Sequence, residues 1–180
     1  GCHSTQYQRY NRVAADIGIP EDLMAANLIV NGAKIGDLME NSVPDKDAAK
    51  WFGAPPPDLT LVARVRGADW IYTYLRSFYR DENRPTGWNN LVFENVGMPH
   101  VLYGLQGQQV LNHETHKLEL AVPGTMPPAE FDKSVSDLVG FMVWMAEPQQ
   151  EFRRTLGWFV LAFLAVLFAV AYALKKEYWK

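Results

Sequence analysis

The stretch that decides the architecture runs from Leu156 to Leu174, LGWFVLAFLAVLFAVAYAL, 19 residues without a charge. As a helix rising about 1.5 Å per residue it spans roughly the hydrocarbon core of a bilayer. A core helix of a soluble domain usually keeps one polar stripe, whereas this segment is apolar on every face, so it reads as a transmembrane helix. Trp158 and Tyr172 sit near its ends, and Tyr178 and Trp179 follow, where interfacial aromatics belong.

Working outward, the whole chain has 180 residues, 48% of them hydrophobic, and six Trp, which excludes a disordered polymer. Its single Cys excludes a disulfide framework and any Cys-rich zinc or iron–sulfur site built by this chain alone. Residues 153–180 carry five basic side chains, Arg153, Arg154, Lys175, Lys176 and Lys180, and one acid, Glu177. The head, 1–152, therefore holds 12 basic and 19 acidic side chains, a net of −7. Such a head suits a basic protein partner and disfavours nucleic acid. Three cations follow the span and two precede it, so the positive-inside rule favours a cytoplasmic C-terminus and a head outside. The expected division is a head over 1–150 and an anchor with a short tail over 151–180. The chain opens Gly1-Cys2-His3 rather than on Met and shows no leader, so it is expected to be processed or truncated at its front.

Within the head, the polar stretch Ser4 to Ile19 predicts loop with a short helix near Tyr7 to Val13. Glu21 to Ile29 predicts a helix, closed by the Asn31-Gly32 turn. Gly36 to Pro57 predicts loop, because Pro55-Pro56-Pro57 fits neither a helix interior nor a central strand. Asp58 is placed to cap a helix over Leu59 to Arg66; after Gly67 a second helix runs Ala68 to Tyr79, with Trp70, Tyr74 and Phe78 as an aromatic stripe. Arg80 to Gly97 reads as loop, with Asn89-Asn90 as a turn signal. Leu118, Leu120 and Val122 alternate with polar residues and predict a strand paired with Gln109 to Asn112. Pro127-Pro128 opens a helix with Val135, Leu138, Phe141, Met142 and Met145 on one face, ending at Glu147-Pro148.

The chain has no hydrolytic zinc signature: His113-Glu114-Thr115-His116 does not place two imidazoles on one helical face, and both read as exposed loop residues. It also has no G-x-S-x-G, P-loop or Gly-rich nucleotide fingerprint. Chemistry must then come from a cofactor. In the c-type haem motif C-x-x-C-H the thiols bond the haem vinyls and the His lies beneath the iron; Gly1-Cys2-His3 has its last part. The same dipeptide also reads as a free thiol beside a surface His. Met98, in Asn95-Val96-Gly97-Met98-Pro99-His100, is a soft thioether on a loop in which Gly97 permits close approach and Pro99 stiffens the backbone. It reads either as an axial ligand or as a plain loop residue.

Taken together, GCH at 1–3, GAPPPDL at 53–59, NVGMPHVL at 95–102, DLVGFMVWMAEP at 137–148 and the single span resemble the cytochrome c1 family, in its proteobacterial form. That family is the membrane-anchored haem subunit of the cytochrome bc1 complex. The resemblance covers nearly the whole length and implies a mainly α haem domain with long loops and a short β-hairpin, followed by one C-terminal transmembrane helix.

The resemblance further implies one covalent haem c, with His3 and Met98 as axial ligands and Cys2 as a thioether attachment. Pro56 and Leu59 would line the pocket. Arg66 would pair with a haem propionate, a bidentate role suited to guanidinium, with Arg64 in reserve. The first Cys of the motif, and a helix before it, are expected upstream of Gly1.

The function it implies is electron transfer without bond making by this chain's side chains: from the Rieske iron–sulfur protein to a soluble cytochrome c, beside cytochrome b, in a dimeric multi-subunit quinol-oxidising complex. The head would sit in the periplasm of a bacterial inner membrane, with an acidic docking face among Asp16, Glu21, Asp22, Asp37, Glu40, Asp45 and Asp47. Two rival readings stay open. One is a membrane-anchored c-type cytochrome of another respiratory complex; the other is a haem-free, tail-anchored periplasmic interaction protein.

Overall fold

Gly18 and Gly53, both in the left-handed region at φ 73° and 83°, end two short helices that set the front of a computed structural model describing residues 1–179. Lys180, one of the tail cations, lies outside the described residues. The expected helix near Tyr7 to Val13 is displaced. Thr5–Arg9 forms strand β1, and the helix α1 follows at Tyr10–Ile17, burying Tyr10, Val13 and Ala14. Helix α2, Glu21–Asn27, stops two residues before its expected end, and Met24 packs with the buried face of α1. Strand β2, Leu38–Met39, pairs antiparallel with β1.

Helix α3, Asp45–Phe52, corrects the reading of Gly36 to Pro57 as loop. Its local signals are consistent: Pro44 precedes it, Asp45 and Asp47 lie in the first turn, Lys50 lies in the last, and these charges complement the helix dipole. The triple proline begins just beyond Gly53. Asp58 does not cap a helix at Leu59. Its carboxylate accepts from Thr60 N (2.9 Å) and Gln6 N (2.7 Å), and helix α4 begins later, at Val62–Arg66.

Helix α5 is Ala68–Arg76, ending before Tyr79 because Ser77 Oγ bonds back to the Thr73 carbonyl at 2.6 Å and Phe78 enters strand β3, Phe78–Arg80. This strand pairs antiparallel with β4, Trp88–Asn90, so part of the stretch read as loop over Arg80 to Gly97 is a hairpin. A single-turn helix, α6, Tyr103–Gln106, leads into the expected hairpin of β5, Gly107–Asn112, with β6, Lys117–Pro123. A Cβ at Gly107 would strike the Val122 carbonyl, so this position, at φ 101°, requires glycine on two counts. Amide donors of Gln106 and Gln109 tie the hairpin to the carbonyls of Arg76 and Phe78.

Helix α7, Pro128–Ala146, is the spine of the head, packing on α4 and α5 through Phe131, Val135, Val139, Met142, Met145 and Ala146. Leu138, expected on that face, is 41% exposed; the face follows 131, 135, 139, 142 instead. Phe141 and Trp144 turn toward the cluster of α1 and α2. Arg76 on α5 and Asp132 on α7 form a forked pair, 2.6 and 2.7 Å, half-exposed and therefore worth about 1 kcal/mol or less. The head is thus mainly α with small strand pairs, the class that the sequence predicts.

The chain divides into two units, Gly1–Ala146 and the segment from Glu147 onward. The second holds helix α8, Gln150–Tyr178, 29 residues with a window of mean hydropathy 2.4 and none of it buried, long and apolar enough to cross a membrane. Its first turn is tied by Arg153 Nε donating to Glu147 Oε1 at 2.5 Å.

Candidate functional site

His3 is fixed by its neighbours on both sides. Asn41 Nδ2 donates to the Cys2 carbonyl (2.9 Å), and Leu59 N donates to the Ser4 carbonyl (2.9 Å), so the N-terminal strand lies along the segment that follows the prolines. The His3 ring places Nδ1 2.7 Å from the Pro57 carbonyl oxygen. A carbonyl only accepts, so Nδ1 carries a proton, and it is Nε2 whose lone pair the neutral ring would offer to a metal. An imidazole oriented through one nitrogen to a carbonyl, with the other free to donate, has the form of a metal-ligating histidine. Cys2, next to it, is exposed and carries a free thiol. Pro56 and Leu59 are half-buried, and Leu59 packs against the cluster of α4, α5 and α7.

Met98 lies on the loop after β4, half-buried against Phe78, Trp88 and Val96. Its Sδ accepts the Tyr74 hydroxyl at 3.4 Å. From there a line of contacts leads back to Arg66: the Tyr74 ring stacks on Trp70 at 5.0 Å and 9°, and the Arg66 guanidinium sits 5.0 Å over the Trp70 ring. The stripe read from the sequence is therefore the wall between the Met98 loop and α4. Leu59, which follows the prolines, and Trp70 and Tyr74, the latter in contact with Met98, all border one apolar cluster. Arg64 and Arg66 are both exposed on α4.

Burial pushes the Tyr74 phenol up to about 12, so it stays a proton donor to sulfur at ordinary pH. His100, to which the sequence reading gave no role, is 2% exposed, stacked parallel to Phe78 at 4.9 Å and edge-on to Trp88 at 5.0 Å. Burial pushes it down to about 4. Its Nε2 and Gln106 Oε1 are buried, and neither has a hydrogen-bond partner among the described residues. Asn89 and Asn90, read as a turn signal, are 4% and 1% exposed. The nearest sequence signal for these roles was their closeness in the chain to Met98. His113 and His116 are exposed in the β5–β6 turn, as expected.

The residues present suit a haem. One neutral imidazole nitrogen is available, a thioether supplies a soft neutral donor, a free thiol adjoins the His, and a cation stands beside an aromatic wall. The acidic residues of the expected docking face, Asp16, Glu21, Asp22, Asp37, Glu40, Asp45 and Asp47, are all exposed; Asp16 is paired with Arg12 at 2.6 Å.

Comparison with known proteins agrees with this chemistry. The model of the Cytochrome C1 family matches residues 1–180. The chain is 50% identical to cytochrome c1 of Allochromatium vinosum over 190 aligned residues, covering 100% of this chain and 78% of that protein. It is 52% identical to a protein of Nitrosomonas europaea named ammonia monooxygenase gamma subunit, covering 99% of this chain and 76% of that one. Mitochondrial cytochrome c1 of Neurospora crassa is 31% identical, over 81% of this chain and 43% of its own length. Cytochrome c1 is the haem subunit of the bc1 complex, carries covalent c-type haem and is anchored in the membrane by a C-terminal helix. With a match along its full length, this chain belongs to the cytochrome C1 family.

Proposed function

We propose that this chain is a one-electron carrier, taking an electron from the Rieske iron–sulfur protein and passing it to a soluble c-type cytochrome. His3 Nε2 and Met98 Sδ would hold the haem iron, Cys2 would attach the haem through a thioether, and Pro56 and Leu59 would line its pocket. Arg66 pairs with a propionate, with Arg64 in reserve. The observation that carries this reading is the His3 ring, oriented by the Pro57 carbonyl so that Nε2 is left to donate.

When bound, the haem supplies reversible one-electron chemistry at iron. This chain's residues hold the ligands, exclude water through the Trp70, Tyr74 and Phe78 wall, and set the potential by burial and hydrogen bonding. With His3 and Met98 both holding the iron, no place on it would be left for a substrate. That favours electron carriage over the oxygen activation suggested by the name of the Nitrosomonas relative. The chain sits beside cytochrome b and the Rieske protein in a dimeric assembly. The head lies in the periplasm of a bacterial inner membrane, with the C-terminus cytoplasmic.

The test is a reduced-minus-oxidised visible spectrum of the full-length, haem-loaded protein in detergent. A sharp c-type band that survives denaturation is expected, and its absence would discard the carrier reading. Co-purification with a quinol-oxidising cytochrome b separates a bc1 subunit from the cytochrome of another complex.

A further inference from the structure

Leu91 N still donates to the Ser77 carbonyl (3.1 Å); beyond it, the loop that carries Met98 is held by side chains that accept from the backbone N–H groups of Val92, Phe93 and Asn95. Asn90 Oδ1 accepts from Val92 N (2.8 Å) and Phe93 N (3.2 Å), and Asn89 Oδ1 accepts from Asn95 N (2.9 Å) and Asn90 N (2.9 Å). Both asparagines are themselves held from behind. Asn90 Nδ2 donates to the Tyr74 carbonyl (2.8 Å), and Asn89 Nδ2 donates to Asp81 Oδ2 (2.9 Å). From outside, Arg84 grips Asn95 twice, Nη1 to Oδ1 at 3.0 Å and Nη2 to the carbonyl at 2.8 Å. Asn95 itself stands at φ 61°, a left-handed conformation that this grip and the Asn89 amide hold. Two residues on, a Cβ at Gly97 would come within 3.3 Å of the Phe52 carbonyl, so the backbone passes close to the end of α3 just before Met98.

A buried amide oxygen that accepts two backbone donors fixes the path of the chain more tightly than apolar packing does, because a slip leaves a desolvated donor unpaired. We propose that Asn89, with Arg84 and Asp81, is a positioning clamp that holds the 91–98 loop closed, so that the Met98 thioether stays on the iron. This inference rests on Met98 being the sixth ligand. The hydrogen bonds of Asn89 go to Asp81, Asn90 N and Asn95 N, so it acts through the backbone of Asn95.

The test is imidazole binding to the ferric, haem-loaded, full-length protein in detergent, alongside the thioether-to-iron charge-transfer band and the potential. Imidazole binds where Met98 has swung away, so its affinity measures loop opening. Asn89→Ala is expected to raise imidazole affinity about tenfold, equivalent to the loss of one to two hydrogen bonds from the closed state, and to weaken the band. Arg84→Ala, at the half-exposed rim and harmless to the buried pair, is expected to raise it about threefold. The double exchange Asp81→Asn with Asn89→Asp reverses donor and acceptor and keeps the hydrogen bonds of the clamp while moving the charge to the buried position, and is expected to bring imidazole affinity back below that of Asn89→Ala.

If Asn89→Ala and Arg84→Ala lower Tm but leave imidazole affinity and band at wild-type values, the clamp is only a fold element and the inference fails. Met98→Leu controls for the reading beneath it. If that variant keeps the wild-type band and potential, Met98 is not the ligand and both fall; if it loses them while the clamp variants do not, the clamp alone falls.

Discussion

The Tyr74 hydroxyl donates to Met98 Sδ at 3.4 Å, from a ring held between Trp70, stacked at 5.0 Å, and Phe78, edge-on at 5.1 Å. A donor on a thioether draws electron density from sulfur and so weakens the ferric state more than the ferrous. Tyr74→Phe keeps the ring wall and removes only the hydroxyl. A redox titration is expected to show the potential lowered by about 20–40 mV, the equivalent of a weak hydrogen bond of about 0.5–1 kcal/mol. An unchanged potential would mean that the hydroxyl does not reach sulfur in the haem-loaded protein.

Met98→Leu is expected to keep covalent haem, since attachment depends on thiol chemistry, but to lower the potential further than Tyr74→Phe does and to block electron delivery to cytochrome c. Stopped-flow reduction of cytochrome c by the reduced variant is the measurement. A wild-type rate would assign the sixth position to another group.

Asp81 is held below its ordinary value of 3.8, first by the Asn89 side chain and then by the Asn83 backbone. A carboxyl whose folded pKa is depressed contributes stability that is fully present above its unfolded value and is lost as pH falls below it. Wild-type Tm is therefore expected to fall below about pH 4 more steeply than that of Asp81→Asn. Parallel acid limbs would show that the Asp81 carboxylate has no part in stability.

The two sides of α7 separate core from surface. Phe131 is 2% exposed and packs with Ile71 and Leu75, so Phe131→Ala is expected to cost about 3–5 kcal/mol in denaturant unfolding. Leu138 is 41% exposed, and Leu138→Ala is expected to stay within about 0.5 kcal/mol. A larger effect at 138 in the detergent-solubilised complex, but not in the isolated chain, would place that side chain against another subunit.

Asp22, Asp37, Glu40 and Asp45 are exposed and offer a negative field. Changing all four to their amides is expected to flatten the ionic-strength dependence of the cytochrome c reduction rate, since steering by rim charges acts on association. If the slope stays as steep as wild type, the docking face lies elsewhere on the head.

Much of the architecture was legible because it repeats a local rule. Leu156 to Leu174 is apolar on every face, the alternation at Leu118, Leu120 and Val122 marks a strand, and Pro127-Pro128 opens a helix; each states its element without reference to the rest of the chain. Helix α3 is masked in the sequence although its charges and Gly53 follow the rules for helix ends, because it is only eight residues long and Pro55-Pro56-Pro57 just beyond it is a stronger local signal for loop. Strand β1 was missed for a different reason: its partner is the two-residue β2, some thirty positions away, and nothing local in Thr5–Arg9 announces that pairing.

The candidate site divides along the same line. The residue types that suit a haem, Cys2, His3 and Met98, stand in the sequence because ligand chemistry depends on the atoms a side chain carries. What holds them depends on contacts between distant segments: Pro57 under His3, Tyr74 on Met98, Asn89 behind Asn95. A proline carbonyl, an aromatic in a helical stripe and a turn-forming asparagine are commonplace residues in one dimension. Each takes its role from burial and from the particular atom facing it, quantities that come into being only when the chain folds. The sequence by itself therefore determined the apolar C-terminal helix, the helical class and the candidate donor atoms, because periodicity and side-chain chemistry are local; the orientation of those side chains was decided by the tertiary structure, because a hydrogen bond needs both partners in place.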